Sequence, residues 1–71
     1  MTILITYAAR PNTNERAGYY LPSVVVNGLQ MCGSYATTGY SEADALVEAK
    51  AIAELEAARY VGDWDVRIVA V

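Results

Sequence analysis

Between positions 24 and 31 the chain reads VVVNGLQM, and the Asn27-Gly28 pair at its centre constrains the fold more than any other feature. Both residues tolerate positive φ, as the central positions of a type I′ turn require, and the twist of that turn matches the strands on either side. A hairpin is therefore expected. A two-residue turn fixes the register: Val26 opposes Leu29, Val24 opposes Met31 and, further out, Tyr20 opposes Tyr35, all on the face expected to form the core. Ser23, Gln30, Cys32 and Ser34 fall on the other face with Leu21 and Val25, which makes that face mixed. In this register Pro22 opposes Gly33 where a backbone donor is needed, so a bulge or the end of regular pairing is expected there.

The rest of the chain reads as a helix and two further strands. TILITYAA, Thr2 to Ala9, alternates Ile3, Ile5 and Tyr7 with Thr2 and Thr6, a strand pattern. RPNTNERAG, positions 10 to 18, is the most polar stretch and reads as a connecting loop. From Glu42 to about Tyr60 the residues are strong helix formers with no internal Gly or Pro. Ser41 is placed to cap that helix, with Asp44 three residues later; Glu42 and Asp44 complement its positive end and Arg59 its negative end. Gly62 is expected to end it. WDVRIVAV then alternates Trp64, Val66, Ile68 and Ala70 with Asp65, Arg67, Val69 and Val71. That final strand must be covered within a sheet or form an edge that needs a partner. The order is β-β-β-α-β, and the expected fold class is an α+β two-layer sandwich over residues 1–71, a mostly antiparallel sheet with one helix packed on one face.

Helical spacing gives two apolar stripes. Leu46, Ala49, Ile52, Ala53, Ala57 and Tyr60 form one arc, with Ala45 beside it, and small residues there allow close approach to the sheet. Val47, Ala51, Leu55 and Ala58 form a second on roughly the opposite side. One helix cannot bury both against a single sheet. Val47 and Leu55 are thus either ordinary exposed apolar residues or a docking surface for a second copy or a target.

Composition limits what the chain can do. At 71 residues it can bury only about 60% of the surface its unfolded form exposes, so its core is marginal. A single Cys32 and no histidine exclude an intramolecular disulfide and most zinc arrangements, leaving association, a homodimer first, as the expected support. The net charge of −3 and the scattered positions of Arg10, Arg16, Lys50, Arg59 and Arg67 argue against direct nucleic-acid binding. An acidic domain suits a basic protein surface, including one that normally holds nucleic acid. There is no signal-like start and no apolar run of about 18 residues, so no membrane partner is expected and the location is expected to be cytoplasmic.

Catalytic material is scarce. The general base most common near neutral pH is absent, and Cys32 has no neighbouring base to make it a thiolate. Asp44 with Glu48, and Asp63 with Asp65, fall well short of the roughly six oxygens a hard metal takes. No glycine-rich phosphate loop occurs. The expectation is a non-enzymatic domain with no cofactor and no metal. The conspicuous residues are tyrosines: Tyr19, Tyr20, Tyr35 and Tyr40 gather in sequence around the outer end of the hairpin. Tyr20 and Tyr35 suit the edge of the core, whereas Tyr19 and Tyr40 suit a contact patch, since tyrosine offers large stiff area with a polar tip.

GYYLP (Gly18 to Pro22), Cys32 and GYSEADALVEA (Gly39 to Ala49) together resemble the HicB-type antitoxin domain, with its Gly-aromatic strand, hairpin and G-x-[ST]-x-x-[ED]-A-L-x-x-A entry to a helix. Val24 to Gly28 stand where that family has a proline-rich bend, and Trp64 to Val71 where it often continues into a DNA-binding segment. The layout from Ser34 to Val71 is also similar to small phage-encoded inhibitors of host enzymes, of the RNA polymerase inhibitor and anti-CRISPR type. Both resemblances imply a compact acidic domain that occupies a nucleic-acid-processing enzyme stoichiometrically. The expected partner-binding residues are Tyr19, Tyr40, Val47, Leu55, Asp63 and Asp65, or the edge of the last strand by β-augmentation. The alternative from another class is a structural self-association module without an external target.

Overall fold

The computed structural model describes residues 2–11, 19–32, 41–60 and 62–71. Strand β1 (Thr2–Pro11) runs through the middle of a four-stranded sheet. It pairs antiparallel with β2 (Tyr20–Val26), which turns through Asn27-Gly28 into β3 (Leu29–Cys32). Helix α1 (Glu42–Ala57) then crosses the sheet, and β4 (Asp65–Ala70) lies parallel to β1. The strand order is β3-β2-β1-β4, with the helix on one face. This is the expected α+β class: two pairings are antiparallel and the β1–β4 pairing is parallel.

The turn adopts the expected backbone, with φ of 49° at Asn27 and 84° at Gly28. Beyond the turn, the hairpin departs from the simple register. Val26 opposes Leu29 as expected, but a bulge between Val24 and Val25 places Val24 opposite Cys32 rather than Met31. The irregularity thus comes earlier than Pro22. Tyr35 and Gly33 lie outside the described residues.

Neither strand proline removes a bond from the described ladder. Asn27 N donates to Leu4 O, so the even-numbered residues of β1 turn their polar groups toward β2, and alternation turns those of Pro22 toward β3. The described pairing of β3 reaches Val24, short of Pro22. In the same way Pro11 turns its nitrogen toward β4, whose pairing with β1 ends at Tyr7. Among the described residues the central pair thus extends past both neighbours, and proline occupies the extension. β1 continues through Arg10 and Pro11, expected in a loop, because they pair with Leu21 and Tyr20 of β2; residues 12–18 lie outside the described residues.

The core lies between the helix and the two central strands: Ile3, Ile5, Val24 and Val26 meet Ala49 and Ala53, with Tyr7, Ile52, Ala57, Tyr60 and Val66 packed around them. Ala45, Ala49 and Ala53 are completely buried, so the line of closest approach is an alanine ridge at spacing four. The expected arc needs correction here. Leu46 stays exposed and Ala45 takes the buried position, because a ridge without side chains beyond Cβ lets the backbone settle closest to the sheet and swings Leu46 to the flank. Leu29 and Met31 were also expected in the core, but they are 68% and 47% exposed. Their strand is an edge beyond the reach of a helix that packs on β1, β2 and β4.

Ser41 caps α1 as expected, its Oγ accepting from Asp44 N at 3.1 Å. The helix ends three residues early, at Ala57. Arg59 N and Tyr60 N then bond to the carbonyls of Glu56 and Ala57, each three residues back, in a tightened final turn. Gly62, at φ 85°, serves the bend that follows rather than the helix end. Arg59 lies past the last helical turn and instead approaches Glu56 Oε1 at 3.8 Å. Trp64 precedes β4 and meets the Tyr60 ring edge-on, with centroids 5.8 Å apart.

Candidate protein-binding surfaces

The described residues expected to bind a partner fall in three separate regions. Val47 and Leu55 project from the solvent side of α1, at 70% and 72% exposure, with Ala51 exposed between them. They are eight residues apart, about 12 Å along the helix axis. The buried ridge of Ala45, Ala49 and Ala53 dictates this: residues two positions from the ridge point away from the sheet.

Tyr19 lies just before β2 and is exposed. Its neighbour Tyr20 is half-buried, opposite Pro11 at the far end of β1. The Tyr20 hydroxyl donates a hydrogen bond to the Glu42 carboxylate, tying the start of β2 to the first turn of the helix. That bond raises the Tyr20 pKa above its ordinary 10.0; repulsion between the two charges and loss of hydration add to it, in that order. Tyr40 and Tyr35 lie outside the described residues.

Asp63 and Asp65 are exposed at the opposite end of the sheet. Asp65 pairs with Thr2 while Tyr20 pairs with Pro11, so nine residues of β1, about 30 Å of extended chain, separate the two regions. Tyr19 and the two aspartates therefore cannot share one contact patch of ordinary size. Asp65 Oδ2 instead lies 3.4 Å from Arg67 Nε, a pairing between next-but-one residues on the same strand face.

Leu4, Val69 and Val71 are exposed, and Leu4 and Val69 lie on the sheet face away from the helix. The polar-apolar alternation of β1 and β4 contains this signal, since Leu4 and Val69 interrupt otherwise polar positions. Among the described residues no cluster of three or more Cys, Asp or Glu is arranged to hold a metal ion. No described helix is long and apolar enough to cross a membrane.

No protein-family model matches this chain, and neither a curated protein nor a solved structure does.

Proposed function

We propose that this chain is a non-enzymatic protein-binding module, acting in the cytoplasm as a stoichiometric inhibitor of a nucleic-acid-processing enzyme. The observation that carries this reading is the exposure of Val47 and Leu55 on a helix whose other side is already committed to the core. Large apolar side chains held out on a rigid helix are suited to a groove in a partner. Net charge of −3 suits a target surface that is itself basic, and the resemblance to HicB-type antitoxins and phage inhibitors supports the same class of target. Tyr19, Tyr40, Asp63 and Asp65 remain candidates for additional contacts, with Tyr19 serving a contact separate from that of Asp63 and Asp65.

The test is capture of partners from bacterial lysate on the immobilised chain and on a Val47→Glu, Leu55→Glu variant. The expected result is a nucleic-acid-processing enzyme retained by the first, lost from the second, and inhibited at one-to-one stoichiometry. Equal recovery on both surfaces would remove the helix stripe from the site. Recovery of this chain alone would favour the self-association reading, for which the edge position of β4 is the specific support.

A further inference from the structure

Strand β4 forms one edge of the described sheet, and the direction of its backbone groups follows from the ladder. Val71 N donates to Tyr7 O at 3.0 Å, so the odd-numbered residues of β4 bond toward β1. Alternation then points the N–H and C=O groups of Val66, Ile68 and Ala70 outward. The side chains alternate as well. Val66 and Ile68 lie on the helix side, opposite Ile3 and Ile5, whereas Asp65 and Arg67 lie on the other face. Both charged side chains are exposed, and so are Trp64, Ile68 and Val69.

We propose that β4 pairs antiparallel with β4 of a second copy about a two-fold axis through Val66, joining two four-stranded sheets into one. The outward groups permit only registers in which one outward residue faces another, and charge then separates these. An axis at Arg67 sets Arg67 against itself; an axis at Asp65 sets Asp65 against itself and could match Arg67 only with Asp63, which lies in the bend before the strand. An axis at Ile68 faces Arg67 with Val69 and Asp65 with Val71, matching no charge. The axis at Val66 alone places Asp65 opposite Arg67 of the second copy, and does so twice by symmetry. These are non-hydrogen-bonded positions, where side chains of opposing strands come closest. On the helix side the same register brings Trp64 against Ile68 of the second copy, covering two exposed apolar residues. The pairing extends each strand by one residue to include Trp64. Its occupant is thus defined: a strand carrying an acid and a base two positions apart is complementary to itself when reversed.

Sedimentation velocity of the full chain from micromolar to millimolar concentration tests this, with Asp65→Arg and Arg67→Glu made separately. Both side chains are exposed, and circular dichroism checks that each variant folds. The wild type is expected to dimerise with rising concentration. Each single variant faces itself with like charges and should dimerise about tenfold more weakly. An equimolar mixture should recover the dimer, because the first variant carries two positive charges on this strand and the second two negative. Neutral Arg67→Gln should fall between wild type and Arg67→Glu. A wild type that stays monomeric at every concentration would overturn the proposal, and so would single variants that dimerise as well as the wild type, or a mixture no stronger than its components. None of these outcomes bears on target capture by Val47 and Leu55, which lie on the helix.

Discussion

Asn27 holds Leu4 by both of its backbone polar groups: the Asn27 Oδ1 accepts from Leu4 N at 2.8 Å, and Asn27 N donates to Leu4 O at 2.8 Å. A turn residue thereby extends the ladder between the two central strands by one rung. Asparagine meets two requirements here, since it also tolerates the φ of 49°. Asn27→Gly should keep the turn and lose the side-chain acceptor, at a cost of about 0.5–1.5 kcal/mol. Asn27→Ala should cost more than Asn27→Gly, because it loses the same acceptor while keeping a Cβ at positive φ without the polar side chain that offsets it. Urea denaturation of the three proteins orders them; equal stability of Asn27→Gly and wild type would mean that the side-chain bond contributes nothing.

The alanine ridge sets how close α1 lies to the sheet. Ala49 is completely buried, so Ala49→Leu must push the helix outward or distort Ile5 and Val24, at a cost of about 1–3 kcal/mol. Ala51 is exposed on the same helix, and Ala51→Leu should change stability by less than about 0.5 kcal/mol. Thermal unfolding followed at 222 nm separates the two. Comparable losses at both positions would show that the buried face is misassigned.

Ser41 caps the helix through its hydroxyl. Ser41→Ala should cost about 1 kcal/mol, and Ser41→Asp should be close to neutral, since aspartate supplies an equivalent acceptor and a favourable charge. Failure of the aspartate to rescue the alanine loss, read by denaturant midpoint, would point to a different role for the hydroxyl.

The Tyr20–Glu42 bond makes stability sensitive to alkali. The folded-state pKa of Tyr20 lies above its ordinary 10.0, so folding favours the protonated phenol. That contribution is fully present below about pH 10 and is lost as pH rises through the folded pKa, where the ionised ring repels Glu42. Tyr20→Phe lacks both the bond and the repulsion. The melting temperature of the wild type should therefore exceed that of Tyr20→Phe at neutral pH, and the gap should narrow above about pH 10. A gap that does not vary with pH would remove the Glu42 interaction as its cause.

How far these relationships were legible depended on how local they are. The Asn27-Gly28 turn, the Ser41 cap and the exposure of Val47 and Leu55 follow from short-range rules, and the structure has all three. Leu29 and Met31 are exposed: alternation tells which face a residue occupies, not whether anything covers that part of the face. Coverage depends on strand order, and β3 is an edge. Leu46 and Ala45 exchanged roles for a related reason: helical spacing locates a stripe to within one residue, while the contact line is decided by the sheet beneath. The Asn27–Leu4 and Tyr20–Glu42 bonds join residues more than twenty positions apart, and no local pattern announces them. The sequence offers Tyr19 and the acids Asp63 and Asp65 as separate contact candidates without saying how far apart they lie, and the length of β1 sets that distance.

The parallel pairing of β1 with β4 has a consequence for the order in which the chain assembles. Thr2 meets Asp65 and Tyr7 meets Ala70, contacts that close nearly the whole length of the polypeptide, whereas β2 and β3 meet across two residues. Loop closure makes such distant contacts slow, so the hairpin and its junction with β1 should assemble while one flank of β1 is still bare. The two sets of β1 amides alternate: Thr6 and Ala8 turn toward β2, Ile5 and Tyr7 toward β4. Pulse-labelled hydrogen exchange during refolding should therefore find the first pair protected before the second, a residue-by-residue stagger along a single strand; simultaneous protection would mean that both flanks close in one step.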